Sequence, residues 1–396
     1  MYPLEIVLLI YFSYVSLYAF VLSCAGLLFR RKAVPKAKVN RKMAVLIPAY
    51  KEDQVITHVA EHALNQSYPS ENFDVIVIAD SLKPSTLEKL GMLPIQVVEV
   101  MFEKSTKVKA LNKAMEVIGD DYDVAVILDA DNIMERSFLS RINDLFDYGY
   151  QAVQGKRDPK NENTSMALLD GLSETINNFI YRQGTVSIGG SASLNGSGMA
   201  FTYDIYKRIM AGMDSIGGFD RELELKLMEQ DVKVYFAQDA VVYDEKVANT
   251  EVFERQRKRW ISSQFFYLKK YFKPGMRKLA QGDFSFFNSS VLRNVQLPRL
   301  LNVGLLIVVT VASFTFRRYV AISPWVWCGV LLINVLSILF AIPRKFYSVK
   351  LLKSILLIPK IFLKMFLLMF KLKGANKTFI HTPHGHVETH ANTEKV

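Results

Sequence analysis

The chain has 396 residues, half of which are hydrophobic, and its formal net charge is +11. Its two cysteines, Cys24 and Cys328, both lie in apolar runs, which excludes a disulfide framework and a cysteine-based zinc site. The basic residues gather beside apolar runs without any nucleic-acid-binding motif, so the charge indicates contact with membrane lipids and not with nucleic acid.

The first predicted element is a transmembrane anchor over residues 1–29. Its apolar run has no basic residue before it and is followed by a basic stretch over residues 30–42, the reverse of the charge order in a cleavable signal peptide. The positive-inside rule then places the N-terminus outside and the following polar domain in the cytoplasm. We therefore expect an integral protein of the inner or plasma membrane.

Short β-branched runs alternate with helical patterns in the polar domain. Strands are predicted over residues 43–48, 73–79, 95–100 and 124–128, and helices over residues 54–66 and 107–118. This alternation predicts an α/β fold whose mixed, mostly parallel sheet is covered by helices on both faces. Ligands of such sheets bind at the carboxyl ends of the strands.

Two acids, Asp129 and Asp131, follow the last of these strands and are separated by one small residue. Carboxylates in this arrangement can hold a hard divalent cation that bridges a diphosphate. The same pattern also caps ordinary turns, so the position at a strand end is what favours a ligand site.

Other polar residues are predicted at the same edge of the sheet. Asp80 follows the second strand, where it could accept hydrogen bonds from a base or a ribose. The remaining candidates for this crevice are Pro48, Tyr50, Glu52 and Lys109. Each has an alternative explanation as part of a strand-end turn or, for Lys109, as a solvated helix charge.

The second half of the polar domain contains candidates for binding an acceptor. Gly196 and Ser197 precede a predicted strand over residues 199–203, and glycine allows a backbone to approach a sugar closely. Asp220 lies at or near the start of a predicted helix. There it could deprotonate an acceptor hydroxyl, or simply cap the helix.

Residues 251–296 are predicted to form amphipathic helices at the membrane surface. Within them, Gln256, Arg259 and Trp260 have helical spacing, so Arg259 could pair with a diphosphate and Trp260 could stack beneath a sugar ring. A basic helix on the membrane surface explains the same residues without catalysis.

Two further apolar segments follow. A transmembrane helix pair is predicted over residues 297–343. Residues 350–372 place lysines on one helical stripe, which favours a helix in the membrane interface over a third C-terminal span. The lysines are Lys353, Lys360, Lys364 and Lys371.

In chain order these motifs resemble glycosyltransferase family two, in particular its membrane-integrated chitin, hyaluronan and cellulose synthases. The matching motifs are P-A-Y-K-E at 48–52, Asp80, K-A-L-N at 109–112, D-x-D at 129–131, G-S-G at 196–198 and Q-x-x-R-W at 256–260. The resemblance implies a GT-A-type, Rossmann-like domain over residues 43–250.

The resemblance also implies a reaction, namely inverting transfer of a hexose or N-acetylhexosamine from a UDP-sugar, dependent on Mg²⁺ or Mn²⁺. It implies that Asp80 binds the base, that Asp129 contacts the nucleotide or sugar, and that Asp131 ligates the metal. Asp220 takes the role of general base. Glu222 is the alternative, because Phe219 stands where the family usually has an acid before its base.

Residues 373–396 are predicted to combine a gating-like loop with a polar tail. Phe379, Thr382 and His384 resemble the loop that closes over the nucleotide in cellulose synthase-like enzymes. The alternative is a polar tail throughout.

The leading hypothesis is a synthase that elongates a β-linked saccharide at the cytoplasmic face, with export by a partner or a homo-oligomer. One alternative is transfer of a single sugar to a lipid acceptor such as a polyprenyl phosphate or ceramide. Another is a catalytically silent membrane scaffold.

Overall fold

The computed structural model describes residues 2–29, 32–247 and 250–372. The chain divides into two units. The first, which we call the sheet unit, contains Lys32–Glu162 and Ala192–Val247, and the second, the helical unit, contains Met1–Arg31, Asn163–Ser191 and Ala248–Lys373. Residues 163–191, which fall inside the predicted 43–250 domain, therefore group with the helical unit.

A single mixed sheet of eight strands forms the core of the sheet unit among the described residues. The strands are β1 (Met43–Tyr50), β2 (Phe73–Asp80), β3 (Gln96–Val100), β4 (Val124–Ile127), β5 (Ile133–Met134), β6 (Ala152–Pro159), β7 (Met199–Thr202) and β8 (Val234–Asp244). Their order across the sheet is β3-β2-β1-β4-β7-β6-β8-β5. β3, β2, β1 and β4 run parallel, as do β6 and β8, whereas β7 and β5 are antiparallel to their neighbours. The predicted mixed, mostly parallel sheet is confirmed.

The helices differ in length between the two units. In chain order they are α1 (Tyr2–Leu27), α2 (Ile56–Leu64), α3 (Pro84–Gly91), α4 (Lys107–Ile118), α5 (Phe138–Asp147), α6 (Ser165–Asn177), α7 (Thr185–Ser187), α8 (Tyr203–Ala211), α9 (Phe219–Met228), α10 (Thr250–Ala280), α11 (Phe284–Phe287), α12 (Arg293–Val295), α13 (Arg299–Thr315), α14 (Pro324–Ala341), α15 (Val349–Ile355) and α16 (Ile358–Met369). Of these, α2–α5, α8 and α9 belong to the sheet unit. π-helical turns at Asn178–Gly184 and Asn288–Leu292 interrupt the helical unit.

Helix α4 is the element that positions the donor side of the candidate site. It begins at Lys107 because the side chain of Thr106 accepts a hydrogen bond from the Lys109 amide at 3.2 Å, an N-cap. Its buried face, which includes Val108 and Leu111, packs against the sheet. In a parallel βαβ unit the helix N-terminus lies near the carboxyl ends of the strands, so Lys107 points to the ligand-binding edge.

The helical unit contains two helices that are long and apolar enough to cross a membrane, Pro3–Leu27 and Pro324–Ala341, among the described residues. Helix α13 alone is too short to be a third candidate span. Together with residues 284–295 it is long and apolar enough, but the two segments are bent by 57° relative to each other. α1 and α14 pack side by side. Asn334 Nδ2 donates to Ser16 Oγ at 3.0 Å between them, a buried polar contact of the kind that holds apolar helices together.

The lysine-striped segment is not one continuous helix. It forms α15 and α16, which are separated at Leu356–Leu357, and Pro359 lies in the first turn of α16. Proline removes a helical hydrogen bond and clashes with the preceding turn, which accounts for the break. Neither piece alone has the roughly 20 residues needed to cross a bilayer, and the interfacial placement of this segment stays a prediction.

Candidate active site

The ends of β1 and β2 bring two predicted donor residues together. Tyr50 and Asp80 are register partners in the parallel pair, and Asp80 is only 2% exposed. Lys51 and Ser81, the next residue of each strand, both have positive φ, which turns the chain sharply at this edge. The Ser81 hydroxyl donates to Asp80 Oδ1 at 3.0 Å and fixes its carboxylate.

Pro48 and Glu52 flank this turn on either side. Pro48 lies within β1 opposite Ile78, whereas Glu52 follows the strand and is buried. The Glu52 carbonyl accepts from the amides of Val55 and Ile56 at the start of α2. The backbone of Glu52 therefore shapes the turn.

The Asp129 turn is held against the Gly196 loop by a buried serine. Ser197 Oγ accepts from the Asp129 amide at 2.9 Å and from Asn132 Nδ2 at 2.7 Å. Ser197 has no exposed surface, and its side chain joins the two loops. The acceptor contact predicted for the Gly196–Ser197 segment stays a prediction.

Lys107 is the cation of the site. Its Nζ forms an ion pair with Asp129 Oδ1, donates to Gly196 O at 2.8 Å, and lies 5.0 Å from the centre of the Phe219 ring. Lys109, which we expected to contact phosphate, is exposed and its Nζ donates instead to Lys104 O at 3.4 Å. The structure thus brings Lys107, and not Lys109, to Asp129.

Asp131 lies on the buried side of the same turn. Lys160 Nζ, just beyond β6, donates to Asp131 O at 2.6 Å. Burial lowers the pKa of Lys160, and the negative charge of Asp131 opposes that shift. The Asp131 turn is therefore fixed by a lysine that the sequence did not single out.

The acids are suited to a metal that arrives with its substrate. The described part of the chain contains no cluster of three or more histidine, cysteine or acidic residues arranged to hold a metal. Mg²⁺ and Mn²⁺ are commonly held by one or two carboxylates together with substrate phosphates. Asp131 and Asp129 can supply the carboxylates, and the diphosphate of a bound substrate can supply the remaining ligands. The residues present therefore fit a divalent cation bound together with a nucleotide-sugar.

The Gly196 loop is shaped for close approach. Gly196 has φ +89° and open space where a Cβ would stand, whereas a Cβ on Gly198, at φ +61°, would meet Val242 Cγ2 at 2.9 Å. Gly198 is therefore required by packing as well as by backbone conformation. The space beside Gly196 remains open.

A buried charge network that the sequence did not reveal supports this loop. Arg157 donates to Asn195 O at 2.9 Å and pairs with Asp244, which Lys246 Nζ also contacts at 2.8 Å. The parallel pairing of β6 with β8 brings these residues together. Neither β6 nor β8 was predicted from the sequence, and their pairing is not encoded locally.

Asp220 and Glu222 occupy different surroundings on α9. Asp220 lies in the first turn after Gly218 and keeps some exposure to solvent. Burial of its carboxyl group raises the pKa of Asp220, while Arg221 and Lys107 oppose the shift. Glu222 is almost fully buried and accepts a hydrogen bond from Ser215, so it is the less available of the two.

The Q-x-x-R-W residues lie on α10 in the helical unit. Trp260 is 38% exposed, and the Arg257 guanidinium lies 4.4 Å from its ring centre and 4.6 Å from that of Phe253. Asp170 pairs with Arg257 and holds this stack. Gln256 Oε1 is buried without a hydrogen-bond partner among the described residues.

The remaining predicted site residues are Arg259 and those of the gating-like loop. Arg259 is partly buried on α10. Phe379, Thr382 and His384 lie outside the described residues, so the gating-like loop stays a prediction.

Residues 40–263 match the sequence profile of the family described as glycosyltransferase like family 2, and the chain belongs to this family. It is 24% identical over 272 residues to the probable glycosyltransferase YdaM of Bacillus subtilis (strain 168), covering 64% of each chain. It is also 24% identical over 211 residues to a dolichyl N-acetyl-alpha-D-glucosaminyl phosphate 3-beta-D-2,3-diacetamido-2,3-dideoxy-beta-D-glucuronosyltransferase of Methanococcus voltae, covering 49% of this chain and 63% of the relative. The matches span slightly less than two thirds of each relative.

The fold is similar to that of the mannosyltransferase PcManGT from Pyrobaculum calidifontis, solved in complex with GDP-Man and Mn²⁺. The TM-score is 0.55 at 16% sequence identity, and the likeness covers 90% of this chain and 98% of that one. At this identity the likeness defines the fold alone, which is a GT-A-like glycosyltransferase fold with helices that could span a membrane.

Proposed function

We propose that this protein is a membrane-bound, inverting glycosyltransferase that transfers a hexose or N-acetylhexosamine from a UDP-sugar to a growing β-linked saccharide. The observation that carries the proposal is the cluster of Lys107, Asp129 and Gly196 at the strand-end edge that also holds Asp80 and Asp131. A cation for the diphosphate, acids for a divalent metal and for the base or ribose, and an open glycine together suit a sugar diphosphate. The chitin, hyaluronan and cellulose synthase-like subtype belongs to this proposal.

The donor half of the site binds the nucleotide diphosphate. Asp80, fixed by Ser81, accepts hydrogen bonds from the base or ribose. Lys107 exchanges its ion pair with Asp129 for a charge-assisted hydrogen bond to a diphosphate oxygen. A bound Mg²⁺ or Mn²⁺ at Asp131 would offset the charge on the leaving nucleoside diphosphate.

In the acceptor half of the site, Asp220 acts as the general base. Asp220 takes the proton from an acceptor hydroxyl, whose oxygen forms a bond to the anomeric carbon as the bond from that carbon to the diphosphate oxygen breaks. The raised pKa of Asp220 makes its carboxylate a stronger base than an ordinary aspartate. Lys107 lies against Phe219, the residue before Asp220, and so keeps positive charge beside both halves of the reaction.

The helical unit supplies the membrane attachment of the enzyme. The proposed topology has the N-terminus outside, the catalytic domain in the cytoplasm, the pair over residues 297–343 in the bilayer and residues 350–372 at the interface. Trp260, which is 38% exposed on α10, would stack against a sugar ring, and Arg259 would pair with a diphosphate. Export of a long product then needs a partner or a homo-oligomer.

A second candidate is transfer of a single sugar to a lipid-linked acceptor such as a polyprenyl phosphate. The name of the Methanococcus voltae relative describes a dolichyl-phosphate-linked sugar as its acceptor, which favours this alternative. The two candidates share the donor site and differ only in the acceptor.

The test is to incubate membranes that contain the protein with labelled UDP-sugars and Mn²⁺ and to size the labelled product. A ladder of products supports elongation of a saccharide. A single organic-soluble glycolipid contradicts elongation and supports the second candidate. If neither product forms with any donor, and the Asp220→Asn variant behaves like the parent, a silent scaffold remains.

A further inference from the structure

A partly open cavity with both apolar and polar lining lies inside the helical unit. It opens between α1, the turn Asn178–Gly184, the start of α13 and α14, and its empty space, including the part open to the outside, is about 300 Å³. Its polar lining residues are Tyr181, Gln296, Arg299, Asn302, Asn334 and Ser337. Polar groups between apolar helices are costly and usually serve a ligand or a polar path.

Arg299 brings a positive charge to this cavity without an acidic partner. Its Nη2 donates to the amide oxygen of Asn177, and no carboxylate in the described part of the chain lies within ion-pair distance of it. By contrast, Arg182 of the same unit pairs with Glu174 at 3.0 Å, and Arg257 pairs with Asp170. Arg299 is partly buried, and the negative charge of Glu174 acts on it only from beyond ion-pair distance, because Glu174 is paired with Arg182. A bound anion would therefore give Arg299 a direct counter-charge.

The backbone at Arg299 adds to this positive potential. Helix α13 begins at Arg299, directly after the 57° bend that separates it from residues 284–295, and no side chain caps its N-terminus. The N-terminus of a helix carries partial positive charge and free amide donors. Helices broken within a membrane use such ends to bind anionic groups.

Tyrosine and amide side chains fix the walls beside Arg299. Tyr11 donates to Asn302 Oδ1 at 2.8 Å, and Gln296 Nε2 donates to the Tyr14 hydroxyl at 3.2 Å. These bonds hold the lining in place before any ligand arrives, which lowers the entropic cost of binding. The cavity is therefore a preformed pocket with one unpaired cation.

We propose that Arg299 and the first turn of α13 bind the phosphate group of a membrane lipid. Arginine suits phosphate because its planar guanidinium donates two parallel hydrogen bonds to phosphate oxygens. We infer that a lipid carries this phosphate, because α1, which lines the pocket through Val15 and Ala19, also exposes apolar side chains as a lipid-facing helix does. The phosphate belongs either to a prenyl phosphate acceptor or to a bilayer phospholipid, and its binding requires no sugar transfer.

The test measures binding to the purified full-length protein in detergent by native mass spectrometry. The probes are citronellyl phosphate and citronellol for a prenyl source, and dioleoyl phosphatidic acid and dioleoylglycerol for a bilayer source. We expect both uncharged lipids to bind at least about tenfold more weakly than the preferred phosphate. Stronger binding of the prenyl phosphate than of phosphatidic acid assigns the pocket to an acceptor. Stronger binding of phosphatidic acid, or equal binding of these two phosphates, assigns it to a bilayer lipid. Equal binding of phosphates and uncharged lipids overturns the proposal.

Variants separate binding from a structural role of Arg299. Arg299→Gln should weaken phosphate binding about tenfold or more, whereas the exposed Arg344→Gln should leave it unchanged. Asn177→Ala removes the hydrogen bond between Asn177 and Arg299 but keeps the positive charge of Arg299. This variant should therefore have a lower melting temperature and still bind phosphate. The proposal fails if Arg299→Gln binds both phosphates as the parent does, or if Asn177→Ala abolishes binding in folded protein. Should Arg299→Gln not fold, Arg299→Lys keeps the charge and must retain phosphate selectivity.

Discussion

Replacement of Lys107 by Met is expected to impair sugar transfer far more than it impairs folding. The Asp129 side chain is about one third exposed, so its loss of the ion pair costs about 1 kcal/mol of stability or less. In the reaction, Lys107→Met removes one charge-assisted hydrogen bond to diphosphate, which is worth roughly 1.5–3 kcal/mol. That range corresponds to a fall of about 10- to 100-fold in kcat/KM for the donor.

Lys109→Met provides the matched control, because it removes the same charge from the same helix on its exposed side. The assay is nucleotide release at varied UDP-sugar concentration, with melting temperature measured in parallel. We expect Lys109→Met to stay within about twofold of the parent. Equal losses in both variants, or a loss in Lys109→Met alone, would refute the assignment of Lys107 to the diphosphate.

Three further predictions concern the base, the loop and the metal. Asp220→Asn should abolish sugar transfer while donor binding persists. Glu222→Gln should mainly lower the melting temperature. If Glu222→Gln abolishes transfer and Asp220→Asn does not, Glu222 is the base. The pKa of Asp220 is raised, and its basic carboxylate form is lost as the pH falls through that pKa. The acidic limb of the kcat/KM profile should therefore lie above the ordinary aspartate range of about 4. A limb at or below that range contradicts the assignment of Asp220 as the base. Gly198→Ala should lower the melting temperature, because it should reduce the free energy of unfolding by about 1–3 kcal/mol. Gly212→Ala is the control: a Cβ there meets only an ordinary contact, so the melting temperature should not fall. Chelation with EDTA should reduce transfer to background and added Mn²⁺ should restore it, whereas full activity in EDTA would remove the metal from the account.

The strands and the identity of the ligand-binding edge were predictable from local patterns. The β-branched runs predict β1, β2, β3 and β4 to within about two residues of their observed ends. Parallel order then places Tyr50, Asp80 and Asp129 at one edge, because their positions follow from where each strand stops. These features depend only on neighbouring residues.

The choice between two lysines was not predictable from spacing alone. Lys107 and Lys109 both belong to α4, and only the N-cap at Thr106 makes Lys107 the residue at the strand-end edge. Likewise, the support of the Gly196 loop by Arg157 and Asp244 depends on the pairing of β6 with β8, which is distant in sequence. Features that rest on long-range pairing were the ones that sequence patterns missed.

The central claim is that the two acids after β4 and the Lys107 cation form a donor site for a nucleotide-sugar. The most direct measurement is a screen of UDP-sugars with the purified full-length protein, Mn²⁺ and added membranes that lack the protein as the acceptor source. It is scored by UDP release and by transfer of label to the added membranes, beside the Asp131→Asn variant. We predict release and transfer with at least one UDP-sugar, and loss of both in Asp131→Asn at unchanged melting temperature. Equal release by the parent and by Asp131→Asn, with a shared donor preference, would contradict the claim.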